Sequence, residues 1–119
     1  MIRTIVSGLF FVALTGTSLA NCKVEYFKFY FNFDSQAAIH AESGRACPLR
    51  LTVSALEGLQ IVKQPQHGTA AYNGSFSDIV VNYKAVAGYK GADEFVFAAT
   101  GGDPKHHGTA NVTVTVDVN

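Results

Sequence analysis

Apolar and polar side chains alternate with period two through most of the chain beyond residue 22. The pattern is plainest at the end, where Val112, Val114, Val116 and Val118 alternate with Thr113, Thr115 and Asp117. Successive side chains of a strand point to opposite faces, so this spacing predicts a strand with one face on a core. Between Lys23 and Phe33, Phe27, Phe29, Phe31 and Phe33 fall on one side, with Tyr26, Lys28, Tyr30 and Asn32 on the other. That predicts a long aromatic strand, its phenylalanines inward. Leu49, Leu51 and Val53 repeat the pattern, as do Ile79, Val81 and Tyr83, and again Phe95, Phe97 and Ala99. Leu59, Ile61 and Val62 mark a short strand stopped by Pro65, which has no N–H for a ladder. Thr69 to Tyr72 runs into Asn73-Gly74, a dipeptide suited to the tip of a hairpin. Residues 34–46 are polar and weakly patterned, with room for a short helical turn around Ala37, Ala38 and Ile39.

About seven strands with no amphipathic helix predict an all-β, antiparallel sandwich. The alternation leaves no linker, so residues 21–119 are expected to form a single domain. Residues 1–20 have a different character. Arg3 supplies a positive start, Ile5 to Leu14 an apolar run, and Ser18-Leu19-Ala20 the small-x-small pattern of a signal-peptidase site. Ten helical residues span about 15 Å, half of a hydrocarbon core of roughly 30 Å, so a stable membrane span is not expected. A cleaved signal peptide over 1–20 implies an exported chain: periplasmic, cell-surface or extracellular.

Composition narrows the function. With 9 Lys+Arg against 9 Asp+Glu, no basic surface exists to grip a phosphate backbone, which argues against nucleic acid as a partner. Only 15% of residues are charged, alongside 9 Phe and 5 Tyr, a composition that builds a core. Cys22 and Cys47 are the only thiols. In an oxidising compartment two cysteines usually pair, and closing a loop of this size stabilises by roughly 3.5 kcal/mol in the chain-entropy model. Leu19-Ala20-Asn21-Cys22 is also similar to a lipobox, in which Cys22 would carry a lipid anchor and could not form a disulfide.

Three phrases resemble bacterial immunoglobulin-like, cadherin-like modules of exported proteins. Gln64-Pro65-Gln66-His67-Gly68-Thr69 is similar to a P-x-H-G-T lead into a strand. Gly88-Tyr89-Lys90-Gly91-Ala92-Asp93-Glu94-Phe95 is similar to a G-[YF]-x-G-x-D-x-F phrase, and Ala110 to Val118 to the closing strand. The family often has proline where this chain has Ala85, and Asp-Gly in the turn where it has Thr100-Gly101-Gly102-Asp103. The resemblance implies a single immunoglobulin-like sandwich. Gly68 and Gly91 would sit where a Cβ obstructs, Asp93 would accept backbone N–H bonds within its own turn, and Tyr89 and Phe95 would plug a corner.

Candidate chemistry is sparse. Asp103-Pro104-Lys105-His106-His107 places a carboxylate and two imidazoles in one loop, and these, with His67, form the one set suited to a transition metal. The only adjacent acids are Asp93-Glu94, too few for a calcium site. No G-x-S-x-G elbow and no Gly-rich phosphate loop is present, so neither a catalytic residue nor a cofactor is implied. Tyr26 and Tyr30 flank Lys28 in a pattern that can stack on a sugar or on another protein. The expectation is a non-catalytic binding or structural module of the bacterial envelope or exterior, whose partner is another protein or a surface glycan. The alternatives are a metal-binding sandwich using His106 and His107, and a lipid-anchored component through Cys22.

Overall fold

A computed structural model describes residues 22–53, 55–75 and 78–119; the expected signal peptide lies outside them. The chain is all-β. Its strands are β1 (Cys22–Phe27), β2 (Ser35–Ala41), β3 (Ala46–Leu51), β4 (Leu56–Lys63), β5 (Gly68–Ser75), β6 (Asp78–Ala85), β7 (Gly91–Gly101) and β8 (Gly108–Val118). One sheet has the order β1-β2-β8-β7-β4 and the other β3-β6-β5. All neighbours are antiparallel except β2 and β8, which run parallel. Among the described residues no helix is long and apolar enough to cross a membrane.

The alternation is the cause of the sandwich. Val112, Val114, Val116 and Val118 of β8, Phe95, Phe97 and Ala99 of β7, and Ile79, Val81 and Tyr83 of β6 all point into one shared core. Each buried Val, Leu or Phe contributes about 1.5–3 kcal/mol of transfer free energy. Pro48 is tolerated in β3 because that strand is the margin of its sheet. Because strand directions alternate along the chain, the β1–β2, β3–β4, β5–β6 and β7–β8 connections share one end. The β2–β3, β4–β5 and β6–β7 connections share the other.

Three sequence expectations need correction. The aromatic strand ends at Phe27, not Phe33, and residues 28–34 form a loop. Asn32 there has φ 68°, a left-handed conformation no strand accommodates. Phe29 and Phe31 pack half-buried against the rim of the core, whereas Phe33 is 62% exposed. Second, the expected helical turn at Ala37–Ile39 is β2, which lies between β1 and β8 with Ala37, Ile39 and Ala41 fully inward. Alanine is a weak strand former, so neighbours decide: Ala37, Ile39 and Ala41 register against Val114, Val116 and Val118. With β2, the strands number eight. Third, Asn73 and Gly74 are not the hairpin tip; they pair with Val80 and Ile79 inside β5–β6, and the ladder runs on to Ser75 and Asp78. Gly74 is needed there because a Cβ would meet the Asp78 carbonyl oxygen at 2.3 Å.

Candidate ligand-binding cleft

The two ends of the sandwich differ in chemistry. At the end holding the β4–β5 and β6–β7 connections, polar groups are consumed by structure. Asp93, at the start of β7 and 9% exposed, accepts from the backbone N–H of Gln66 and His67 (both 3.1 Å), of Glu94 (2.9 Å), and from the Tyr83 hydroxyl (2.8 Å). Asp93 therefore ties its own strand to a connection far away in sequence, a longer reach than the turn-local role expected of it. The Tyr83 phenol is held well above its ordinary pKa of 10.0, first by burial and then by the Asp93 carboxylate it donates to. Tyr83 also stacks on Phe95, centroids 5.8 Å apart, so Phe95 is core. His67 lies flat on Tyr89 at 3.9 Å, and the Tyr89 hydroxyl donates to the Ala92 carbonyl. Gly68 and Gly91 behave as expected: a Cβ at 68 would meet the Lys84 carbonyl at 2.4 Å, and Gly91 has φ 135°.

Cys22 and Cys47 form a disulfide, with Cα atoms 5.2 Å apart. It joins β1 of one sheet to β3 of the other near this same end. A disulfide fits an oxidising compartment. It also occupies the Cys22 sulfur that a lipid anchor would require.

The opposite end is open. The 28–34 loop and the β7–β8 connection flank a cleft of about 500 Å³, lined by Phe29, Tyr30, Phe31, Phe33, Asp103 and His106 over a floor that includes Thr52 and Val53. Phe29 and Phe31 meet edge to face, centroids 5.0 Å apart and planes at 83°. Tyr30 and Phe33 leave 64% and 62% of their surfaces in water. The loop is pinned on both sides of Phe33. A Cβ on Gly108 would crowd the Asn32 carboxamide, so the glycine leaves that side chain room to seat against β8. Asp34 accepts from the backbone and side-chain amides of Asn111, at 3.1 and 3.3 Å. The exposed rings are thus presented on an ordered frame. Lys28 is exposed and Tyr26 is half exposed on β1, outside this cleft.

Asp103 organises its own loop. Its Oδ1 accepts from the backbone N–H of His106 (2.7 Å) and Lys105 (2.9 Å) and faces His106 Nδ1 at 3.3 Å. The His106 backbone N–H is the main reason its carboxyl sits below the ordinary range, so it is ionised at neutral pH. The histidines expected to share a metal diverge. His106 turns to Asp103, His107 Nε2 lies 2.8 Å from Glu57 Oε2, and His67 stands at the other end of the sandwich. Among the described residues no three His, Cys, Asp or Glu side chains gather where they could hold a metal ion. Sequence reasoning missed Phe33 and Asp103 as walls of one cleft; the signal available was the density of aromatics between residues 26 and 33.

No family model matches the chain, and no curated protein matches it. Among solved structures, an endo-fucoidan hydrolase of glycoside hydrolase family 107 superposes with a TM-score of 0.45 at 12% identity. The match covers 88% of this chain and 15% of that one, and a likeness of this degree carries nothing about activity.

Proposed function

We propose that this protein is an exported, non-catalytic immunoglobulin-like module that binds a partner, another protein or a surface glycan, through the aromatic cleft at its open end. The observation that carries this is the exposure of Tyr30 and Phe33 above the crossed Phe29 and Phe31 rings, on a loop held by Asn32 and Asp34. Large aromatic surface left in water on an ordered frame is expensive in a monomer and characteristic of a recognition site. The immunoglobulin-like type is supported by strand order. Leaving β1 and β2 aside, β3, β6 and β5 correspond to strands B, E and D, and β4, β7 and β8 to strands C, F and G. The staple departs from that pattern, since it joins β1 to β3 and not B to F.

The test is retention of envelope components by the purified chain from Asn21 onward, compared with a Tyr30→Ala/Phe33→Ala double variant of equal thermal stability. Loss of retention in the variant is expected. Equal retention by both proteins overturns the assignment of the cleft.

A further inference from the structure

Given that the cleft is the binding site, we propose that its ligand carries a quaternary ammonium group of the trimethylammonium type, seated against the aromatic rings with Asp103 as counter-charge. Ring faces are the negative ends of aromatic quadrupoles, and a cation close to several of them is stabilised without any hydrogen bond. Here four rings line one cleft, two of them packed edge to face with centroids 5.0 Å apart.

The charge in the lining agrees. With histidine counted as neutral, Asp103 is the single formal charge among the residues around the cleft. Its Oδ1 is taken up by the loop, and among the described residues no hydrogen bond is made to its Oδ2. The carboxylate therefore keeps one oxygen without a hydrogen bond beside an aromatic cleft, an arrangement that disfavours anions and favours a cation. Lys28 and Lys105 belong to the flanking loops but do not line the cleft, and Arg50 nearby is paired to Asp78 at 2.6 Å.

The choice of a quaternary over a primary amine follows from hydrogen-bond accounting. A primary ammonium brings three N–H donors that need acceptors once it leaves water. Besides Asp103, the acceptors among the lining side chains are the Thr52 and Tyr30 hydroxyls and the His106 ring, set among four aromatic walls. A trimethylammonium has no donors to satisfy, and its methyl groups present both apolar surface and spread positive charge to the rings.

The experiment is amide-shift NMR titration of the chain from Asn21 onward with choline, with 3,3-dimethylbutan-1-ol (its uncharged isostere), and with ethanolamine. Choline is expected to shift residues 29–33 and 103–106 and to bind roughly tenfold more tightly than the isostere. Ethanolamine is expected to bind more weakly than choline. Asp103→Asn keeps an oxygen for the loop N–H groups, and is expected to weaken choline while leaving the isostere unchanged. Equal binding of choline and its isostere, tighter binding of ethanolamine, no binding of choline, or no effect of Asp103→Asn would each overturn the proposal. If choline fails while the Tyr30→Ala/Phe33→Ala variant still loses envelope retention, the cleft survives as the binding site and only its ligand class is wrong.

Discussion

The two ends of this sandwich are made by the same strands and solve opposite problems. At the closed end a buried carboxylate, Asp93, gathers four donors from three places in the chain, and a histidine and a tyrosine cover each other's faces. The buried polar groups there are paired with one another. At the open end Asp34 and Asp103 accept hydrogen bonds and Asn32 packs against Gly108, yet what they hold in place is apolar and faces water. Removing a side chain from the first end should cost stability; removing one from the second should cost recognition.

The largest effect belongs to Asp93→Ala. It strands the buried Tyr83 hydroxyl and leaves three part-buried backbone N–H groups without their acceptor, and unmatched buried donors cost about 1–3 kcal/mol each when nothing relaxes. With partial relaxation the expected loss is roughly 3–5 kcal/mol, in reach of the whole stability of a small domain. Urea unfolding should show it as a much lower midpoint or as failure to fold. A loss under 1 kcal/mol would mean that the closed end is not the keystone described.

Next comes the Cys22–Cys47 staple, which closes a 25-residue separation. Replacing both cysteines with serine should cost about 3–4 kcal/mol by the chain-entropy model. Since the bond joins the margins of the two sheets, the same protein should also lose hydrogen-exchange protection first in β1, the most exposed strand. Uniform loss across all strands would contradict that picture.

The closed end was legible in the chain and the open end was not, for a physical reason. Gly91, with φ 135°, acts through its own backbone, and Gly68 and Asp93 stand in short recognisable phrases even though their main partners, Lys84 and residues 66, 67 and 83, lie far along the chain. Where a strand stops is different. Phe27 to Phe33 alternates faultlessly, and the strand ends inside it because Asn32 takes a left-handed turn and docks on Gly108, a residue no local pattern connects to it. β2 hid for a related reason: its alanines become strand by lying beside the valines of β8. Aromatics that packing leaves exposed look the same in sequence as those it buries.

A smaller effect distinguishes the closed end by pH. The Tyr83 phenol titrates above its ordinary value of 10.0, so the folded chain keeps a proton that the unfolded chain gives up. Its contribution is intact below pH of about 10 and drains away as pH climbs beyond it. Tyr83→Phe should cost about 1–2 kcal/mol at pH 7, because Asp93 loses one donor. The cost relative to the parent should then shrink at pH above about 10, where the parent is losing stability and the variant is not. A gap that stays constant across that range would mean the hydroxyl is not protected by burial.

The smallest stability change should be Phe33→Ala, and it is the most informative. Phe33 is 62% exposed, so truncation removes little buried surface, and substitutions at such sites usually stay within about 0.5 kcal/mol. Removing the Phe33 ring strips one wall from the cleft while Phe29 and Phe31 keep their contact. An unchanged unfolding midpoint together with lost binding would separate recognition from folding on one residue, which no substitution at Asp93 can do. If Phe33→Ala instead lowered stability by more than 1 kcal/mol, the ring would be doing structural work on the rim of the core. The contrast between the ends would then shrink to a difference in degree, and the exposed aromatics would no longer need a ligand to account for them.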